Sequence, residues 1–378
     1  MIPKHHQCAN CPFRVPLGAR AWGAGEALPP NRCCRQLLCL FSLLLVLVFV
    51  LIGSGYLVPF YPDLVAATSH GDAAAFRKQW KIESLVDVGV EPGRLALAAH
   101  LFNDEPVWDP EELGDISPST PRCAPRTLAL ILVTSATANA RRRRAIRESW
   151  AKVGEPAIKV VFLVGVTSDR DVAAAVAAER SRHNDLLLGR YADTYRNLTL
   201  KVLHGMAWAA AACRPDYLLK TDDDCFVNVP VLRTLLAASP RRRLYVGRSP
   251  ASRAVIRGAA NKWHVTPAEY PLAEYPRYAS GTGYVLSADV LRDITRAARL
   301  VRPFPNEDAF VGVIAARLGV APINSGRFTS YSATWQACNY HYILLMHTVP
   351  CELQAKCLEM ALEAPNRCPN GRVVTVWH

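Results

Sequence analysis

The chain has 378 residues, 51% of them hydrophobic, with a formal net charge of +12 and twelve cysteines. That length allows one large domain or two ordinary ones around a substantial core. The charge is uneven, +4 over residues 1–36, −6 over 63–122 and +14 over 123–378. Such basicity alone would suggest nucleic acid, a partner that the N-terminal sequence excludes.

Residues 1–36 contain Lys4, Arg14, Arg20, Arg32 and Arg35 against one acid, Glu26. Residues 37–58 follow without a single charge. As a helix rising 1.5 Å per residue they span about 33 Å, enough to cross a bilayer. A cleaved signal peptide is the competing reading, with small residues at Gly53, Ser54 and Gly55. The length of the apolar run and of the tail before it argue against cleavage. The first charge beyond the span is Asp63, so the basic excess keeps the N-terminus cytosolic and sends the rest into a lumen. The predicted topology is single-pass type II: a cytosolic tail (1–36), a signal-anchor (37–58), a lumenal stem (59–122) and a folded domain (123–378). A lumenal domain meets no nucleic acid. Its surplus of positive charge points instead to an anionic small partner such as a nucleotide diphosphate, or to an acidic acceptor.

Five cysteines, Cys8, Cys11, Cys33, Cys34 and Cys39, lie at or before the membrane, and Cys33, Cys34 and Cys39 are open to palmitoylation. Seven more, Cys123, Cys213, Cys225, Cys338, Cys351, Cys357 and Cys368, lie beyond it, where an oxidising lumen favours pairing. Seven is odd, so at least one is free or intermolecular.

The stem is acidic and ends in the proline-rich ISPSTPRCAP. Beyond it, residues 128–134 (LALILVT) and 158–164 (IKVVFLV) are apolar runs of strand length, as in a parallel sheet buried on both faces. A helix is predicted between them, a second over 171–182 and a third over 198–213, with Leu198, Val202 and Met206 on one stripe. A short strand, 217–220, then runs into Asp222, Asp223 and Asp224. Strands alternating with helices predict an α/β fold with a mainly parallel sheet.

Ligands in such sheets bind beyond the carboxyl ends of the strands, where the three acids fall. Crowded carboxylates repel unless a cation lies between them, and oxygen ligands suit Mg²⁺ or Mn²⁺ shared with a diphosphate. A solvated acidic turn is the plain alternative, but it does not call for the apolar flanks on both sides.

Seven stretches carry a resemblance. They are 143–150 (RRAIRESW), 195–201 (YRNLTLK), 220–228 (KTDDDCFVN), 244–247 (LYVG), Lys262-Trp263, 275–287 (YPRYASGTGYVLS) and 307–312 (EDAFVG). In this order and spacing the chain resembles the β1,3-glycosyltransferases of glycosyltransferase family 31, type II lumenal proteins of the Golgi, and most of all their galactosyltransferase branch. The resemblance implies a GT-A fold, Rossmann-like with helices on both sides of the sheet. It also implies metal-dependent, inverting transfer from a UDP-sugar, with UDP-galactose as donor and Mn²⁺ as cofactor. The acceptor would be a glycan on a glycoprotein, glycolipid or proteoglycan at the Golgi membrane. The sister N-acetylglucosaminyl- and N-acetylgalactosaminyltransferases share most motifs and are the alternative, with a catalytically silent binding protein on the same fold behind them.

By the same resemblance Asp224 and His347 would ligate the metal, although a histidine beside an apolar run is more often a core residue. Asp222, Asp223, Gly281, Gly283 and Glu307 would lie around the nucleotide-sugar, Asp222 near the ribose. Asp308 would be the base that deprotonates the acceptor hydroxyl; the plain reading of this carboxylate is a helix N-terminus binding free amides, and both can hold. Arg143 and Arg147, four apart on one helix face, would approach the UDP phosphates, with Arg141 and Arg142 facing solvent. Trp263 is a sugar platform or a buried tryptophan. Asn197 heads the one N-x-S/T sequon and could instead cap the third helix. In the implied sheet Cys123 and Cys213 precede neighbouring strands, which predicts that they pair. Cys225 stands where family members usually carry Val, and is the expected unpaired thiol.

Overall fold

The computed structural model describes residues 101–114, 121–154, 156–331 and 335–369; no helix among them is long and apolar enough to cross a membrane. The anchor expected at 37–58 lies outside the described residues.

Four strands form the parallel half of the main sheet: β1 (Ala129–Thr134), β2 (Ile158–Val166), β3 (Leu186–Ala192) and β4 (Tyr217–Asp222). They lie in the order β3-β2-β1-β4. Every residue of β1 is buried, as its unbroken apolar run requires of a strand covered on both faces. The linking helices are α1 (Ala140–Glu148), α2 (Arg170–His183) and α3 (Leu198–Trp208). Asp169 caps α2, its side chain accepting from the amides of Asp171 and Val172. The third helix ends earlier than the sequence pattern suggests, its last five residues (Ala209–Cys213) widening into a π-helical turn.

The other half of the sheet is not parallel. Strand β7 (Gly283–Ser287) runs antiparallel to β4 and to β6 (Tyr245–Gly247), whose far neighbour is β8 (Ile323–Asn324). These strands are short, and between β6 and β7 lies a long irregular stretch, so periodicity alone did not mark them. A second sheet places β10 (Leu345–His347) between β5 (Phe226–Val227) and β9 (Phe328–Ser330). Helices α4 (Val229–Ala237), α5 (Ala288–Ala298), α6 (Glu307–Arg317) and α7 (Gln354–Arg367) complete the described elements. One buried cluster joins β1 and β2 to α4, α7 and the small sheet; the other lies under α3, α5 and α6.

Residues 101–114, expected as stem, pack on this domain. Trp108 Nε1 donates to the carbonyl oxygens of Ala298 and Val301, and Phe102 and Gly114 form bridges with Val301 and Gly189. Leu101, Phe102, Trp108 and Leu113 thereby gain apolar burial that a free stem would not have.

Cys123 and Cys213 form the disulfide expected of them, joining the entries of β1 and β4. A second bond, Cys338–Cys368, ties the segment before β10 to the end of α7. Cys225 is free and buried; Cys351 and Cys357 are free as well.

Candidate active site

Strand β4 runs parallel to β1 in a register that sets Asp222 opposite Thr134. Both strands end there, and the three acids follow different courses. Asp222 Oδ1 accepts from the Thr134 hydroxyl and, at 2.9 Å, from Lys220 Nζ. Asp223 turns inward beneath the loop before α1, where its carboxylate accepts from Ser135 Oγ (2.7 Å), Asn139 Nδ2 (2.8 Å) and Arg142 Nη1 (2.8 Å). Asp224 stays part-exposed. Strand β10, antiparallel to β5, brings His347 Nε2 to 3.6 Å from Asp224 Oδ1.

Asp222, Asp224 and His347 each offer one ligand atom, and these three atoms lie within 4.8 Å of one another. Two carboxylates and an imidazole at that separation fit a divalent cation such as Mn²⁺. Burial raises the pKa of Asp224 from its ordinary value, opposed by His347 and Arg142. A shared cation would offset the cost of the crowding.

Asp308 occupies the first turn of α6. Its Oδ2 accepts from the Gly281 amide and its Oδ1 from the Ala309 amide, both at 2.8 Å. Burial raises its pKa, the two amides opposing, the direction a general base needs. Gly281 permits this approach: a Cβ there would lie 3.2 Å from Glu307 Oε2 and 3.3 Å from Asp308 Oδ2. At Gly283 a Cβ would meet Leu345 Cδ1 at 2.4 Å. Neither glycine has positive φ; it is close packing that requires them.

Lys220 joins the end of β4 to the Gly281 segment and the start of α6. Wholly buried on β4, its Nζ donates to Asp222, to the Gly281 carbonyl and, at 3.1 Å, to Glu307 Oε2. Glu307 is therefore an interior partner of Lys220, with Tyr284 donating to its other oxygen at 2.6 Å. Burial alone would lower the pKa of Lys220, but Asp222 and Glu307 together raise it and keep the ammonium charged.

Three expectations change. Arg143 is fully buried, bonded to Glu179 and to the carbonyl oxygens of Ala136 and Thr137. Arg147 pairs with Glu179 and Asp185. Both anchor α1 to α2 and the start of β3, because an apolar-flanked arginine is buried only with a carboxylate partner; Arg143 meets the acids only through Ser135, whose Oγ it reaches at 3.0 Å and which donates to Asp223. Arg142, expected in solvent, reaches Asp223 and comes within 3.6 Å of Asp224. Asp223, expected at the nucleotide, is 6% exposed and held from within. Two residues that sequence reasoning missed are thus Lys220 and Arg142. A lysine inside an apolar strand was the available sign of the first; nothing separated Arg142 from its basic neighbours.

Trp263 is 44% exposed and Tyr195 45%, with Lys262 Nζ 4.6 Å and 5.7 Å from their ring centres. Trp263 is therefore no core residue. Its carbonyl accepts from Asn306 Nδ2, two residues before Asp308, and the Tyr195 hydroxyl is held neutral first by burial and then by the Asp308 charge. Asn197 precedes α3 without a side-chain cap; its Nδ2 donates to the Ala192 carbonyl instead.

An acidic, metal-competent cluster beyond the sheet's carboxyl edge, facing an amide-held carboxylate, belongs with the sequence of this chain to a mixed α/β glycosyltransferase. The Galactosyltransferase family profile matches residues 141–326. Mouse beta-1,3-galactosyltransferase 1 is 33% identical over 247 residues, 63% of this chain and 76% of that protein. Human N-acetyllactosaminide beta-1,3-N-acetylglucosaminyltransferase 4 is 34% identical over 236 residues (60% and 62%), and mouse beta-1,3-galactosyltransferase 2 is 33% identical over 264 (66% and 63%). The chain belongs to this galactosyltransferase family, glycosyltransferase family 31.

Proposed function

We propose that the chain is a β1,3-galactosyltransferase of GT-A type. It transfers galactose from UDP-galactose to a glycan hydroxyl with inversion, anchored as a type II protein of the Golgi membrane by residues 37–58. The observation that carries the reading is the Asp308 carboxylate, fixed by the Gly281 and Ala309 amides across from Asp222, Asp224 and His347.

Asp308 accepts the proton of the acceptor hydroxyl as that oxygen bonds to the anomeric carbon and the bond to the diphosphate breaks on the opposite face. The amides of Gly281 and Ala309 keep the carboxylate aimed during this step. Trp263 and Tyr195 offer flat apolar faces to the acceptor rings. Asp222, Asp224 and His347 would hold Mn²⁺, which when bound offsets the charge developing on the departing UDP. The resemblance to the human N-acetylglucosaminyltransferase supports a second reading with an N-acetylhexosamine donor, differing in the space left at the sugar's C2.

A donor panel tests both. The purified full-length protein is assayed for hydrolysis and transfer of UDP-galactose, UDP-N-acetylglucosamine and UDP-N-acetylgalactosamine, with and without Mn²⁺. Galactose turnover that needs the metal and falls 10²- to 10⁴-fold in Asp308→Asn, an order of magnitude set by loss of a general base, supports the proposal. Protein that binds UDP yet turns over none of the three is a silent binder.

A further inference from the structure

We infer that Arg142 is a binding residue for the diphosphate of the nucleotide-sugar, held above the metal-competent triad by Asp223. The inference rests on the UDP-sugar reading above and adds a contact to it.

Arg142 lies in the first two turns of α1, and its side chain is 42% exposed. Nη1 is 2.8 Å from Asp223 Oδ1 and 3.6 Å from Asp224 Oδ2. The arginine therefore overhangs one member of the triad from the side of α1. Both contacts use Nη1, so Nε and Nη2 have no protein partner among the described residues.

Asp223 explains the position. Ser135 and Asn139 pin its Oδ2, while Oδ1 receives the guanidinium. A carboxylate this buried and this well held acts as a fixed bracket for the arginine. The three other arginines of the run are accounted for differently: Arg143 is locked to Glu179, Arg141 pairs with Glu352 at the surface, and Arg144 is exposed on α1. Arg142 alone of these four presents unused donors beside Asp224. A planar guanidinium with free N–H groups next to a divalent-cation site matches the oxygens of a diphosphate bridging that cation.

The geometry also makes Arg142 a competitor for the carboxylates. With no nucleotide present its charge offsets Asp224 and disfavours a second cation there; a diphosphate would draw the guanidinium to itself. Removing Arg142 should therefore weaken nucleotide binding without weakening binding of the metal. A side chain that merely supported the fold would weaken both or neither.

The test is calorimetric titration of the full-length protein in detergent, first with Mn²⁺ alone and then with UDP at saturating Mn²⁺. In Arg142→Ala, UDP affinity should fall by about tenfold or more, the scale of a hydrogen bond to a charged group, while Mn²⁺ affinity stays equal or rises. Arg142→Lys keeps the charge, loses the fork, and should lie between. An Arg142→Ala protein that binds UDP within twofold of wild type, or that loses Mn²⁺ and UDP together, overturns the inference alone. Wild-type protein that binds Mn²⁺ but no UDP overturns the inference and the UDP-sugar reading together.

Discussion

Lys220 Nζ and Glu307 Oε2 lie 3.1 Å apart, both fully enclosed, and through this pair strand β4 is bonded to the first turn of α6. The acids at the end of β4 and the carboxylates at the start of α6 are thus fixed to each other within the protein interior. Breaking a buried pair strands a charge and costs about 3–5 kcal/mol. Lys220→Met should lower unfolding stability on that scale and reduce transfer as well, because Gly281 and Asp222 lose the same partner. Adding Glu307→Gln should restore part of the stability, which denaturant melts of the single and double variants would read out. Restoration of nothing would mean that the pair carries no coupling.

Cys225 is buried, and its thiol lies 3.4 Å from the Thr282 carbonyl. Its Sγ also lies 3.8 Å from Asp224 Oδ1; burial first, then the charges of Asp222 and Asp224, raise its pKa well above the ordinary thiol value, so the thiol stays neutral and packs as a small side chain. Cys225→Val should cost less than about 1.5 kcal/mol, as volume-conserving swaps do, and leave transfer within a few-fold of wild type. Loss of activity or of folded protein would show that the thiol itself is needed.

The Cys123–Cys213 bond closes a chain separation of 90 residues. Replacing either cysteine by Ser should cost about 2–5 kcal/mol, the range for native disulfides, measured as a lower denaturation midpoint. The same variants should keep Mn²⁺ and UDP binding at low temperature, since the bond lies at the entries of the strands and the acids at their exits.

His204 on α3 lies under Gly114, with its Nδ1 3.3 Å from the Tyr191 hydroxyl and its Nε2 without a partner among the described residues. Burial pushes its pKa from 6.5 down to about 4. The unfolded chain therefore binds more protons between these values, and stability is full above pH 6.5 and lost as pH falls towards 4, by an amount of order 3 kcal/mol. His204→Phe should flatten melting temperature against pH across that window. An unchanged slope would place the acid sensitivity elsewhere.

Much of the site was legible before the fold. Asp222–Asp224 between apolar runs mark chemistry because crowded charge conflicts with simple burial; the glycines of YASGTGY and the acids of EDAF are marked by the family resemblance. The parallel half of the sheet was legible too, since β1 and β2 are unbroken apolar runs of strand length. The mixed half was not. Strands β6 and β8 have three and two residues, too short for any period to show, and they form by adding in turn to the edges of β7 and β6.

The sequence by itself determined the parallel strands, their linking helices and the acidic cluster at the strand ends, because local periodicity and clustered charge are properties of neighbours in the chain. What only the tertiary structure decided was the division of labour among identical residues. Three consecutive aspartates became a lysine-bound carboxylate, a buried bracket and a part-exposed carboxylate; four consecutive arginines and Arg147 became surface charge, interior tie or partner of Asp223. Spacing along the chain does not contain that difference. It arises from which strand or helix each side chain meets elsewhere in the chain, and from the cost of leaving a charge buried without its partner.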